Sequence, residues 1–171
     1  VNGTTFSPEV PENWTLLRLL REKLGLTGAK EACGTGDCGA CKVIIDGEAV
    51  NSCSMPVAKV DGSTILTIEG LAAPGEIHPI QEAFIRAGAV QCGYCTPAMV
   101  LTAKALLDKN PDPSREEIKN AIHENLCRCT GYKKIIDAVE MAAYELQEAV
   151  RTGAPFEARK WKEGHYSTVE Q

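Results

Sequence analysis

The chain has no apolar run that approaches the roughly 18 residues needed to span a bilayer, and aromatic residues make up only 5% of its 171 residues. It also has no excess of basic residues, since 18 Lys and Arg against 23 Asp and Glu give a net charge of −5. That balance argues against nucleic acid or an anionic membrane as the main partner. No signal-peptide pattern precedes the first elements. We therefore expect a cytoplasmic protein, or one whose targeting segment was trimmed, because Val1 stands where an initiator methionine would.

Cysteine, by contrast, is plentiful: the chain has eight, in two separate sets of four with none left over. The first set is Cys33-x4-Cys38-x2-Cys41 with Cys53, and the second is Cys92-x2-Cys95 with Cys127-x-Cys129. An even count would also fit disulfides in a secreted protein. Disulfide scaffolds, however, are typically small and cysteine-dense, whereas this chain has helical segments that can bury a core of their own. We predict reduced thiols that hold metal.

The spacing of the first set is that of a plant-type ferredoxin, which binds a [2Fe–2S] cluster. The interleaved Gly34, Gly36 and Gly39 would let the loop wrap closely and turn backbone N–H groups toward an anionic cluster. Structural zinc also takes four cysteines, but usually as two Cys-x2–4-Cys pairs. It remains the alternative at this site.

The same loop contains a dinucleotide-binding fingerprint, Gly34-x-Gly36-x-x-Gly39, with Asp61 where a ribose-binding acid would lie. That motif requires a strand before it and a helix after it. The pattern here predicts the reverse order, and cysteines occupy the loop. We reject a nucleotide site.

The second set lies at the predicted starts of two helices. Cys92 and Cys95 precede the helix at Thr96, and Cys127 and Cys129 precede the last helix. Helix N-termini present free N–H groups and a positive dipole end to an anion. A lone Cys-x2-Cys could be a redox pair, but the second pair gives all four thiols a shared destination. Zinc stays open on spacing alone, and two iron–sulfur clusters would make the chain an electron carrier.

Secondary-structure signals divide the chain near residue 72. Before it, Asn13 is the expected cap of a helix that Gly25 ends, and Asp46-Gly47 is a strong hairpin signal. The expected strands are residues 4–10, 42–45, 48–51 and 64–68. After it, Thr96 is the expected cap of a helix with Pro97 at its first position, and Ser114-x-x-Glu117 is a capping box. The expected helices are residues 79–87, 96–109, one beginning at 114, and 133–151.

Three segments together resemble the small iron–sulfur subunit of the molybdenum hydroxylases, the family of xanthine dehydrogenase, aldehyde oxidoreductase and carbon monoxide dehydrogenase. They are Glu31-Ala-Cys-Gly-Thr-Gly-Asp-Cys-Gly-Ala-Cys41, Gln91-Cys-Gly-Tyr-Cys-Thr-Pro97 and Asn125-Leu-Cys-Arg-Cys-Thr-Gly-Tyr132. The resemblance implies an α+β fold, with a β-grasp [2Fe–2S] ferredoxin domain at residues 1–72 and a four-helix [2Fe–2S]-binding bundle at residues 77–151. We expect residues 152–171 to form an extended tail.

The resemblance also implies which residues bind and what the partners are. Cys33, Cys38, Cys41 and Cys53 would hold the distal cluster, and Cys92, Cys95, Cys127 and Cys129 the proximal one. Gln91 and the backbone at Cys129 would contact a molybdopterin-type molybdenum cofactor in a large subunit. Electrons would pass from molybdenum through the proximal and distal clusters to FAD in a medium subunit. This chain would supply no acid, base or nucleophile.

The expected substrate is a purine such as xanthine or another N-heterocycle, while an aldehyde- or carbon monoxide-oxidising enzyme remains an alternative. A free-standing two-cluster ferredoxin and a zinc-stapled module are alternatives from other functional classes. Ala32, Ala98 and Glu124 stand where the family commonly has glycine.

Five other side chains have weaker signals. Arg128 could raise the potential of the proximal cluster or form an ion pair with Glu124. His78 and His123 would be needed for Rieske-type ligation, which eight cysteines make unnecessary. Trp161 in the tail, together with Tyr166, is predicted to dock on a partner subunit.

Overall fold

The structure is a computed structural model that describes residues 1–153, and its buried side chains form two main cores. One core is built from residues between 16 and 65, and the other from residues between 71 and 143. A small third cluster, Ile44 with Leu101 and Ala105, joins them. The predicted α+β fold is confirmed. Trp161, Tyr166 and all but the first two residues of the predicted tail lie outside the described residues.

The first helix precedes the loop that carries Cys33, Cys38 and Cys41. It comprises α1 (Leu16–Arg18) and a wider π-helical turn (Leu19–Lys23). Its cap is Thr15, whose hydroxyl accepts from the backbone N–H of Arg18, so the prediction that Asn13 caps it is wrong. Thr15 is the last extended residue before the helix, and that backbone position decides which side chain can cap.

The sheet has three antiparallel strands in the order β2-β1-β3. They are β1 (Lys42–Ile45), β2 (Glu48–Asn51) and β3 (Ile65–Leu66). The hairpin at Asp46-Gly47 is confirmed, and both residues have positive φ, as this tight turn requires. β1 is buried along its whole length. Val43 and Ile45 pack in the same hydrophobic core as the residues of α1, while Ile44 faces the helical half.

Two strand predictions need correction. Residues 4–10 form no strand: Pro8 offers the segment no donor at its position, and Phe6 is 46% exposed. The strand expected over residues 64–68 is only two residues long. It ends there because the N–H of Thr67 donates to the Asn2 side chain and a 3₁₀ turn follows.

Four α-helices follow in the part of the chain that the structure describes. They are α2 (Pro79–Arg86), α3 (Thr96–Lys109), α4 (Arg115–Ile122) and α5 (Lys133–Thr152). The capping box of Ser114 and Glu117 is confirmed. The cap of α3 is Cys95, not Thr96, which places Pro97 second in the helix. No helix among residues 1–153 is long and apolar enough to cross a bilayer.

The two halves pack with α3 across the sheet. Leu101 and Ala105 of α3 bury the outer side of Ile44, and Lys109 at the end of α3 pairs with Glu48 in β2. This packing brings the start of α3, and with it the second cysteine set, toward the loop that carries the first. The fold therefore positions both candidate sites along one seam, the boundary where the two halves of the chain meet.

Candidate metal centres

The β1–β2 hairpin closes the first cysteine set. Cys41 directly precedes β1 and Cys53 follows β2, and the backbone carbonyl of Cys41 accepts from Ser52 N–H (3.4 Å) and Oγ (2.7 Å). The Cys53 thiol interacts with those of Cys41 and Cys33, and Cys33 with Cys38. All four residues of the predicted set are thus together.

Backbone and amide donors hold the loop of the first set. The N–H of Thr35 donates to the Cys33 sulfur over 3.4 Å, as the glycine-rich turn was predicted to allow. Asn51 Nδ2 donates to the carbonyl of Gly36 over 2.5 Å and ties the loop to β2. Gly36 has φ +88°, a backbone conformation that residues other than glycine adopt only with strain. Sequence reasoning missed Asn51, which lies two residues before Cys53.

The second set joins two loops of the helical half. The Cys95 thiol interacts with Cys127 and the Cys92 thiol with Cys129. The Thr130 hydroxyl lies 3.1 Å from the Cys127 sulfur. Again the structure brings together the four residues that the sequence predicted.

Tyr132 is a further residue of this site that sequence reasoning did not single out. Its hydroxyl accepts from Cys127 N–H (2.8 Å) and donates to the carbonyl of Asn125 (3.1 Å). Its backbone is left-handed, with φ +67°, at the start of α5. A non-glycine residue in that conformation is strained, which indicates that the loop before it is strongly held.

The acidity of the thiols differs according to their surroundings. In the first set, hydrogen bonds from Thr35 lower the pKa of exposed Cys33 to about 5, whereas burial raises the pKa of Cys53 to about 12. In the second set, burial raises the pKa of Cys95 to about 12. The neighbouring Cys92 thiol raises the pKa of Cys129.

For Cys127, burial opposes ionisation, but hydrogen bonds from Thr130 outweigh it and the pKa is lowered. Each set thus combines a thiol whose pKa is lowered with a thiol whose pKa burial raises, and repulsion from neighbouring thiols adds to that rise. A bound cation would relieve that repulsion.

The donors fit a [2Fe–2S] cluster. Such a cluster takes two thiolates on each iron. The side-chain hydrogen bonds between thiols are likewise pairwise: Cys33 with Cys38, Cys41 with Cys53, Cys92 with Cys129, and Cys95 with Cys127. Within residues 1–153, no three potential ligands are grouped closely enough to hold a single ion. Two imidazoles in the described part of the chain have backbone partners, His78 with Ile80 N–H and His123 with the Asn120 carbonyl.

Each cysteine set has some residues at the surface and others buried, so each site faces solvent on one side. Cys33 of the first set and Cys92 and Cys129 of the second are exposed, whereas Cys41 and Cys53 are buried. Gln91 is also exposed, so its predicted contact with a pterin, like that of the Cys129 backbone, stays a prediction. Beside the second set lies an apolar groove of about 620 Å³. It is lined by Phe84, Ile85, Val90, Pro97 and Val100, among others.

Glu124 has a different partner from the one considered in the sequence. It pairs not with Arg128 but with Lys42, over 2.9 Å, and this hydrogen bond lowers the pKa of its carboxyl. The negative charge near Cys127 is therefore balanced. Ala98 is buried within α3 and Ala32 is exposed.

Comparison with known proteins covers both sites. A family described as "2Fe-2S iron-sulfur cluster binding domain" matches residues 1–67, and one described as "[2Fe-2S] binding domain" matches residues 67–140. The first range contains the Cys33–Cys53 set and the second contains the Cys92–Cys129 set. Both ranges lie within the residues that the structure describes.

Relatives match this chain over most of its length. The nicotinate dehydrogenase small FeS subunit of Eubacterium barkeri is 56% identical over 142 residues, covering 83% of this chain and 90% of the relative. The crystal structure of quinoline 2-oxidoreductase from Pseudomonas putida 86 matches with a TM-score of 0.77 and 42% identity, over 84% of this chain and 88% of that one.

Aldehyde oxidoreductase from Desulfovibrio gigas matches with a TM-score of 0.82 and 43% identity. The match covers 96% of this chain but 18% of that one. The chain thus corresponds to nearly a whole small subunit in some relatives and to a fraction of a longer polypeptide in others.

Proposed function

This chain belongs to the family of [2Fe–2S] small subunits of the molybdenum hydroxylases, and we propose that it relays electrons between two partner subunits. One partner is a large subunit with a molybdopterin-type molybdenum cofactor, and the other is a medium subunit that binds FAD. The observation that supports the relay best is the assembly of two four-thiol sets on one seam, each with an exposed edge. A cytoplasmic location stays a prediction.

The thiols would hold one cluster in each half. Cys33, Cys38, Cys41 and Cys53 would hold the distal cluster, and Cys92, Cys95, Cys127 and Cys129 the proximal one. A [2Fe–2S] cluster, when bound, takes up and releases one electron at a time. The chain's own contribution is to orient the sulfurs, exclude water and stabilise negative charge.

Two hydrogen-bond donors of the chain would stabilise negative charge on the cluster sulfurs. Thr35 N–H points to the Cys33 sulfur, and the Thr130 hydroxyl contacts that of Cys127. Hydrogen bonds to cluster sulfurs and burial are the means by which proteins set the reduction potential. Buried Cys41 and Cys53 would keep water from one side of the distal cluster.

Each site has an exposed edge for a partner. The Cys92 and Cys129 edge adjoins Gln91 and the apolar groove, and apolar surface of this kind is common at subunit interfaces. It suits the large subunit, with Gln91 near the pterin. The exposed Cys33 suits the medium subunit or another acceptor.

For the substrate, we propose an N-heteroaromatic compound. The support is in the names of two relatives, a nicotinate dehydrogenase subunit and a quinoline 2-oxidoreductase. A purine such as xanthine stays an untested prediction, and the aldehyde oxidoreductase keeps an aldehyde as the alternative. The pocket that selects the substrate would lie on the large subunit.

The proposal is tested by isolating the complex through an affinity tag on this chain under anaerobic conditions. We expect about four iron atoms per chain, with molybdenum and FAD in near-equal amounts to each other. Both clusters should become reduced when nicotinate or quinoline is added. Clusters without molybdenum would indicate a free-standing ferredoxin, and zinc in place of iron would indicate a structural module.

A further inference from the structure

Lys42 is a buried cation that joins the two halves of the chain. Its side chain is only 4% exposed, and its Nζ lies 2.9 Å from Glu124 Oε2. Lys42 directly follows Cys41, and Glu124 lies three residues before Cys127. A buried charge is costly unless it is paired. The ion pair therefore links a neighbour of one thiol set to the loop that carries the other.

Backbone contacts lie beside this ion pair. Leu126 N–H donates to the carbonyl of Cys38 over 2.9 Å, and Asn125 Nδ2 donates to the carbonyl of Gly39 over 3.2 Å. Asn125 is 1% exposed and accepts from Thr102. The two loops are in close contact, since a Cβ on Gly39 would lie 2.3 Å from the Glu124 carbonyl oxygen.

The contacts form a short bonded path between the two sets. It runs from Cys38 through its carbonyl and one hydrogen bond to Leu126, and then along the chain to Cys127. Electron transfer is faster through bonds and hydrogen bonds than across gaps of the same length. A device that keeps the Leu126 N–H on the Cys38 carbonyl would maintain the coupling between the clusters.

The same ion pair also affects the charge balance. Reduction adds a negative charge to a cluster, so a nearby fixed cation favours the reduced form and a nearby anion disfavours it. The buried ammonium of Lys42 acts in a region of low dielectric constant. Glu124, whose side chain is 57% exposed, offsets it.

We propose that Lys42 and Glu124 are positioning residues that hold Leu126 against Cys38 and balance the potentials of the two clusters. This inference rests on the proposed function, because it requires a cluster in each cysteine set. Neither residue is a cluster ligand. Their effect is on the coupling and the potentials of groups that the cysteines hold.

The test compares the full chain, loaded with its clusters, with three variants. Glu124→Gln removes the anion, Lys42→Met removes the cation, and the double variant removes both. Midpoint potentials of both centres are measured by EPR-monitored redox titration. We expect Glu124→Gln to raise the potentials, Lys42→Met to lower them, and the double variant to return toward wild type. A tenfold change in the reduction equilibrium corresponds to about 59 mV for one electron.

Glu48→Gln is the matched control. Glu48 also pairs with a lysine of the other half, Lys109, but it lies at the turn end of the hairpin, away from Cys41 and Cys53. It should shift the potentials less than Glu124→Gln. A purely structural role for Lys42 would lower the unfolding temperature and leave the potentials unchanged.

A second readout follows the path itself. The magnetic interaction between the two reduced clusters depends on their distance and orientation, and Lys42→Met should weaken it in the EPR spectrum. If Lys42→Met does not assemble, Glu124→Gln decides alone, by a positive shift larger than that of Glu48→Gln. Potentials that do not move beyond the control, or single variants that shift them in the same direction, would overturn the inference. Wild-type protein without iron–sulfur signals would instead overturn the proposed function.

Discussion

The backbone N–H of Leu126 and the carbonyl of Cys38 form a 2.9 Å hydrogen bond between residues 88 positions apart (126 − 38). One belongs to the predicted ferredoxin-like half and the other to the helical half. Cys38 belongs to the first cysteine set, and Leu126 directly precedes Cys127 of the second. The stability of either site should therefore depend on the contact between the halves.

Gly39→Ala should disrupt that contact. The new Cβ would lie 2.3 Å from the Glu124 carbonyl oxygen, and the residue would have to keep φ near +68°. We expect a loss of about 3 kcal/mol or more in the free energy of unfolding. Urea unfolding of the loaded chain measures it.

Gly47→Ala is the control for backbone strain alone. Gly47 has φ +89°, but a Cβ there would meet nothing within 4 Å. It should cost about 1 to 2 kcal/mol. Equal losses for the two variants would show that the close approach at Gly39 does not matter.

Asn125→Ala should be costly for a different reason. It would leave the buried Thr102 hydroxyl without its acceptor and remove one of the two donors to the Gly39 carbonyl, which also accepts from Lys42 N–H. The expected loss is about 2 kcal/mol in the free energy of unfolding. Asn120→Ala, on an exposed position of α4, should change it by less than about 0.5 kcal/mol. Similar small effects for both variants would mean that the Asn125 bonds contribute little.

His78 should make stability depend on pH. Burial lowers its pKa to about 4, from the usual 6.5 of a solvated histidine, and its Nδ1 accepts from Ile80 N–H at the start of α2. Between these values the unfolded chain binds a proton that the folded chain does not. Stability is therefore lost as pH falls from 6.5 to about 4, and the loss levels off below that.

His78→Asn should remove this dependence while keeping a capping acceptor. The wild type should lose about 1 to 3 kcal/mol more than the variant between pH 7 and 4.5, after allowing for solvent screening. Urea unfolding at both values measures it. His123→Asn, at an exposed position, should keep the wild-type dependence. Parallel curves for the wild type and His78→Asn would contradict the prediction.

Single cysteine variants should remove one cluster and leave the other. Cys129→Ala should halve the iron content and abolish one EPR signal, and Cys38→Ala should abolish the other, because each set is expected to serve its own cluster. Iron analysis and EPR of each variant check this. Loss of both signals in both variants would instead indicate one shared site or loss of the fold.

Local signals carried most of what the sequence revealed. The hairpin at Asp46-Gly47 and the capping box of Ser114 and Glu117 depend on residues within four positions, and both are confirmed. The cysteine spacing likewise identified the two sets that the structure assembles. Asn13 failed as a cap because Thr15, two residues later, already has the extended backbone that precedes a helix.

Contacts between the two halves of the chain could not be predicted from the sequence. Lys42 and Glu124 are 82 positions apart, and no local pattern distinguishes the buried lysine from an exposed one. The sequence instead offered Arg128, a near neighbour, as the partner of Glu124. Residues 4–10 have strand-like composition, but no neighbouring strand pairs with them in the described structure.

The most direct test of the account is to count iron and acid-labile sulfide in the anaerobically purified chain and to record EPR spectra after dithionite reduction. We predict about four of each per chain and two distinguishable S = ½ signals, one from each cysteine set. Zinc in place of iron, with no signal from protein kept strictly anaerobic, would contradict the electron-transfer role.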